Sequence, residues 1–252
     1  METPAKCLGV DGCRGGWICA VAENGASAVF KYRTITEIFL EHDDFAVCLI
    51  DIPIGLQSKL DHVRPDSYAR NYIRERAFTI FPAPCRQAVY APSVRDAYLE
   101  NERVLGRKFT PLTVGIIPKI KETDEFLQSN PAYKNRLLES HPETCFKQLA
   151  GKTLLSKKSE PDGLSERIYV LQQYGAAIDA GQVKALRAQL RCAADDIIDA
   201  VCLSVAAGYV TRGDFITLPE HPMPDDTGLL MQMVIPGILY QNKVIDDLGN
   251  RL

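Results

Sequence analysis

The chain lacks any excess of positive charge. Its 252 residues hold 29 lysines and arginines against 32 aspartates and glutamates, a net charge of -3. That excludes an overall basic field for nucleic acid but leaves room for a local basic groove. It also lacks a C-x-x-C pair, so its eight cysteines do not read as a structural zinc site. Most of them sit in apolar runs, where Cys behaves as a small hydrophobe. No apolar run reaches ~18 residues, so no membrane span is expected. The opening Met1-Glu2-Thr3-Pro4 is polar and has no secretory pattern, which makes a reducing cytoplasm the expected location. There is no internal repeat and no low-complexity tract. What remains is ordinary globular composition, 46% apolar and 24% charged, in a length that suits one large domain.

The first fifty residues read as strand, turn, strand, turn, strand, helix, strand. Residues 6–11 form the first strand, 12–16 a Gly/Arg-rich turn and 17–23 the second strand. Asn24-Gly25 is a hairpin signal before a third strand at 27–33. Thr34 or Thr36 caps a short helix through Leu40. Residues 45–50 are near-continuously apolar, as suits a strand buried on both faces, and Pro53 shortly stops it.

Residues 57–130 read as a helical and loop elaboration. It holds a helix at 66–77, an irregular three-proline stretch at 78–92, and helices near 93–105 and 111–129, the last strained by Pro118. A strand at 136–141 follows, then a helix opened by Pro142. Helices are expected at 163–180 and 183–210, and a strand at 229–235. Asp225 to Gly228 reads as a turn.

The acids fall in a pattern. Asp11 and Asp51 each end an expected strand, and Glu139 sits in a third. In CAADDIIDAVCLSVAA, residues Ala194, Ile197, Ile198, Val201 and Val205 make an apolar stripe. Asp195, Asp196 and Asp199 fan over its flank, at spacings that bring like charges together. The bland reading makes Asp195 an N-cap and leaves Asp199 solvated. Carboxylates from separate elements otherwise crowd around a cation, and oxygen-only ligands select Mg²⁺ or Mn²⁺. A pair of such ions suits in-line attack of water on a phosphodiester.

This order of elements resembles the ribonuclease H-like fold. That fold is an α/β mixed sheet, with an antiparallel three-strand meander plus parallel strands, flanked by helices. GVDGCRGGW, DIPIGL, ESHPE-x-x-F, the Ser-Lys-Lys at 156–158 and DDIIDA together resemble the bacterial and archaeal family called domain of unknown function 429. The resemblance runs from Gly9 to the Met231–Pro236 segment. Its members are predicted to be ribonuclease H-like nucleases. The resemblance implies a metal-dependent nuclease with Asp11 as the bridging ligand, Asp51 in the fourth-strand position and Asp199 as the helix ligand, with Asp196 beside it. Glu139 or Glu143 completes the site, a choice left open together with Asp195.

Other residues have two readings each. Arg14, Lys157 and Lys158 are candidate phosphate contacts, and His141 a candidate proton donor or ligand. Arg70 and Arg74 share an expected helix face and, with Arg64, Arg76 and Arg86, could supply the local basic surface. Their bland use is pairing with Asp61, Asp66 and Glu75. Phe78, Phe81 and Tyr90 could stack on bases or fill a core. The expected partner is nucleic acid, with homodimerisation left open. Two alternatives stand beside the nuclease. One is a non-catalytic binding or regulatory protein on the same scaffold. The other is an actin-like ATPase or sugar kinase, for which the expected second phosphate turn is missing.

Overall fold

The computed structural model describes residues 5–23 and 26–238, so the Asn24-Gly25 hairpin signal and Met1 to Pro4 lie outside the described residues. A three-strand antiparallel meander opens the fold: β1 (Cys7–Cys13), β2 (Gly16–Glu23) and β3 (Ala26–Tyr32). The first turn is tighter than 12–16. The β1–β2 ladder runs on to Cys13 and Gly16, so Asp11 lies inside the strand, opposite Ile18. Helix α1 (Ile35–Glu41) follows. The Thr34 hydroxyl accepts from the Glu37 N–H, and the Glu37 carboxylate accepts from the Thr34 N–H, which satisfies two of the helix's free donors.

Strand β4 (Val47–Ile50) then lies parallel to β1. The chain next builds α2 (Asp66–Ile73), α3 (Arg86–Val89), α4 (Val94–Leu105) and α5 (Pro111–Ser129), before β5 (Leu137–Glu139) adds parallel to β4. The result is a five-stranded mixed sheet in the order β3-β2-β1-β4-β5. After it come α6 (Pro142–Ala150), α7 (Pro161–Gln173), α8 (Ala180–Leu190) and α9 (Ala194–Thr211). Last are β6 (Phe215–Pro224) and β7 (Leu230–Pro236), paired antiparallel as a separate two-stranded sheet.

Side-chain alternation sorts the two faces. Cys7, Ile18, Ala20 and Leu49 pack under α6, α7 and α9. Leu8, Val10, Trp17, Cys19, Cys48 and Ile50 pack under α1 and α5, with Ile35, Ile38, Phe39, Ile120 and Leu127. Both faces are covered, which is why β1 and β4 read as near-continuous apolar runs. All eight cysteines are unpaired, and seven are buried. Among the described residues no helix is long and apolar enough to cross a membrane.

Several elements differ from their sequence reading. Helix α2 stops at Ile73, and residues 74–79 tighten into a 3₁₀ turn, with Arg74 at φ 41°. Arg70 and Arg74 therefore share no helix face. Helix α5 is more than an appendage, because Ile120, Phe126 and Leu127 fill the core under the sheet. It carries Pro118 without a break. The 163–180 segment divides into the end of α7, an irregular link and the start of α8. Strand β6 was not legible, because FITLPEHPMP carries three prolines. Helix α9 is buried on nearly every side rather than along one stripe, and Asp199 is inside.

Candidate active site

The parallel ladder of β1 and β4 ends at the pair Val10–Ile50. The Asp51 N–H donates to the Val10 carbonyl at 3.0 Å, so Asp11 and Asp51 leave adjacent strands at the same level. Helix α9 crosses this face and contributes Asp199 from its second turn. The three carboxyls feel one another. Burial pushes the Asp11 carboxyl well above the usual range, and Asp51 and Asp199 push it further. Burial likewise raises Asp199, to about 7, against the pull of Lys158. Asp11 is 9% exposed and Asp199 1%.

One cation stands among them. The Lys158 ammonium, from the loop between α6 and α7, donates to Asp199 Oδ2 and lies 4.0 Å from Asp195. Burial opposes its charge, but Asp199, Asp11 and Asp51 outweigh burial and hold it protonated. The other Asp199 oxygen, Oδ1, is buried and has no hydrogen-bond partner. Asp196 is half-buried, and its carboxylate accepts from the Ala193 N–H at 2.9 Å, capping α9 in place of Asp195.

Glu139 and Glu143 are held elsewhere. Glu139 shares the face of Leu137, under α1 and α5, because side chains two apart point the same way. It is thus on the opposite side of the sheet from the Asp11 face. Its oxygens accept from Arg64 Nη2 at 2.7 and 2.9 Å and from the Ile54 N–H at 2.7 Å. Arg64 also binds Asp66 and the carbonyls of Ile54 and Gly55, so this buried cluster pins the DIPIGL turn behind Asp51. Glu143 accepts from Arg167 at 2.9 and 3.0 Å and from Arg76 at 3.3 Å. His141 caps α6, its Nδ1 accepting from the Glu143 N–H at 3.2 Å.

The remaining cations divide. Arg70 is spent on the carbonyls of Ala77 and Ile80, and Lys157 pairs with Glu160 at 3.2 Å. Arg74 is exposed at the end of α2. Arg86 joins Asp124 and Asp225 in a buried network that also takes the Tyr90 hydroxyl. Of the bland pairings, only Arg64 with Asp66 forms. Arg14 is exposed and forms no ion pair among the described residues.

A cavity of about 630 Å³ opens over this edge of the sheet. Asp11, Asp51, His141 and Lys158 line it together with Phe78 to Phe81, Ile116 and Lys119. Lys119 and Arg167 were not singled out in the sequence. The second had a signal, an arginine set among Ile168, Val170 and Leu171 with no nearby acid on its own helix face. Lys119 donates to the Gly16 carbonyl and sits 4.0 Å over the Trp17 ring. Burial lowers its pKa.

A family model matches residues 9–224. The chain belongs to that family, described as protein of unknown function DUF429. The DUF429 match takes in every candidate acid from Asp11 to Asp199, and it ends at Pro224, before β7 and short of the segment expected from the motifs. Searches of curated proteins and of solved structures each found no match.

Whether a divalent ion fits can be judged from the donors. Among the described residues no three His, Cys, Asp or Glu side chains form a ready ligand shell as they stand. The chemistry of the set is nevertheless right for a hard cation: carboxylates alone, one oxygen of Asp199 orphaned, and a lysine ammonium where positive charge is required.

Proposed function

We propose that this DUF429 protein is a metal-dependent phosphodiesterase acting on nucleic acid, on a ribonuclease H-like sheet. The observation that carries the reading is Asp199 Oδ1, a buried carboxylate oxygen with no partner, beside Asp11 and Asp51. A buried oxygen left unpaired costs roughly 1–3 kcal/mol, more when charged. Buried carboxyls with raised pKa, here Asp11 and Asp199, are a mark of a working site. The strand order, with its meander and two parallel additions, supports the fold assignment.

Asp11, Asp51 and Asp199 would hold Mg²⁺ or Mn²⁺, with Asp196 adjacent. When bound, such an ion lowers the pKa of an attacking water and offsets charge on the phosphate. The chain's own groups do the rest. The strand backbones fix Asp11 and Asp51, and the Arg64–Glu139 pair holds the turn behind Asp51. Because His141 Nδ1 accepts a hydrogen bond, the neutral ring carries its proton on Nε2, where it can serve a departing oxygen. The water gives one proton to solvent and its oxygen forms a new bond to phosphorus as the ester bond breaks; the alkoxide that leaves takes the His141 proton, which solvent then restores to the ring. Arg14, Lys119 and Lys158 are the cations lining the cavity, and they would meet the phosphate oxygens.

One observation favours a non-catalytic binding protein instead: Lys158 already supplies Asp199 with a cation. Calorimetric titration of Mn²⁺ into wild type and Asp11→Asn, followed by assays on single-stranded, duplex, hybrid and branched nucleic acids, separates the two. Binding and cleavage that both vanish in Asp11→Asn are expected. A wild type that neither binds Mn²⁺ nor cleaves would leave Lys158 as the permanent cation of a binding site.

A further inference from the structure

We infer that the cavity takes a single nucleotide unit, free or at the end of a single strand, and excludes a duplex. The inference rests on the proposed phosphate-ester site and names its substrate class. Three independent features lead to it.

The first is size. Asp11 and Asp51 line a bounded cavity together with residues 78–81 and with Gly115, Ile116 and Lys119 of α5. At about 630 Å³ it has the size of a pocket for a small ligand and not of a groove for a duplex. The volume falls within the ~300–1,000 Å³ that accommodates small ligands.

The second is the chemistry of the lining. Phe78 is 63% exposed and lines the cavity, so its ring is accessible to a ligand held there. Its ring is not loose. The Arg76 guanidinium lies 5.1 Å from its centroid, and Arg76 is itself buried and tied to Glu143. Phe81 and Ile116 continue the apolar wall. A fixed aromatic edge beside an apolar wall suits one base, since every base offers a stacking face.

The third is charge. Arg14 and Lys119 both line the cavity, and neither forms an ion pair with a carboxylate among the described residues. With His141 Nε2–H they give a phosphate three donors within the same cavity as the aromatic wall. A base on that wall and a phosphate at these donors are the two parts of one nucleotide.

The test uses the full chain without metal and calorimetry with four probes: adenosine monophosphate, a short linear single strand, the same strand circularised, and its duplex. Binding of adenosine monophosphate, or of the linear strand but not the circle, is expected, weakened roughly tenfold or more in Phe78→Ala. The first outcome marks a free nucleotide and the second a strand end. Because Phe78 is exposed, its loss leaves the fold intact. Duplex or circle binding as tightly as the linear strand, binding unchanged in Phe78→Ala, or no binding of any probe each overturns the inference. Phe78-dependent binding without cleavage of any ester would uphold it while removing the hydrolase reading. Duplex cleavage lost in Asp11→Asn would do the reverse.

Discussion

Gly9 lies against the backbone of α9 at Ala200: a Cβ on Gly9 would come within 2.1 Å of the Ala200 carbonyl oxygen and 2.2 Å of the Ser204 nitrogen. Only a residue without a side chain lets helix and strand approach this closely. Asp11 is two residues along the same face of β1, and Asp199 immediately precedes Ala200. The contact at Gly9 therefore sets the separation of the two carboxylates.

Gly9→Ala accordingly forces α9 off the sheet. Overpacking of this kind costs about 1–3 kcal/mol or more, since the clash is with backbone and not a movable side chain. A lower guanidinium midpoint at unchanged slope is expected, together with loss of Mn²⁺ affinity. A variant as stable as wild type would mean that α9 can slide freely and that the acids are not set by this contact.

Asp11→Asn should make the protein more stable while abolishing the proposed phosphodiesterase activity. At neutral pH the Asp11 carboxyl is either charged in a buried acid cluster or must take up a proton, and both cost free energy. An amide avoids both. A gain of about 1 kcal/mol corresponds to a Tm increase of roughly 2–4 °C at this chain length. Scanning calorimetry in the absence of divalent ions reads it, and a fall in Tm would mark Asp11 as a structural residue.

The Arg64–Glu139 pair makes the opposite prediction. Both partners are buried, at 4% and 3% exposure. Arg64→Met leaves Glu139 buried without its cation, which costs about 3–5 kcal/mol. The double variant Arg64→Met/Glu139→Gln removes the stranded charge and should be less destabilised than the single one. Denaturant melts of the cycle decide this, with equal losses counting against a buried pair.

His42 gives the stability a pH dependence away from the site. Its Nε2 lies 2.9 Å from the Tyr32 hydroxyl, and burial lowers its pKa from 6.5, with Lys6 adding to that and Glu41, Asp44 and Glu23 opposing it. In the window below 6.5 the unfolded chain binds the proton first, so stability is full above that window and falls as pH drops through it. His42→Gln keeps a hydrogen-bonding group without the titration. Its melting temperature should change less than that of wild type between about pH 7 and pH 5. Parallel curves for the two proteins would exclude His42 as the cause.

By itself the sequence determined the meander, the parallel fourth strand, the capped first helix and the presence of acids on the first strand, just after the fourth and on one late helix. Those features are local. Apolar runs, turn residues and caps act within a few positions, so they are readable without knowing what packs on what. The tertiary structure alone decided which acids meet. Period-two alternation turns Glu139 to the far face, where Arg64, 75 residues away in the chain, claims it. Glu143 is likewise taken by Arg167 from another helix. Lys158 reaches Asp199 across 41 residues, and Ile116 and Lys119 of α5 join the cavity lining. Burial depends on such long-range contacts. Asp199 looked like one flank of an amphipathic helix until β1, β2 and β4 covered it, and its charge acquired its chemistry only when water was excluded.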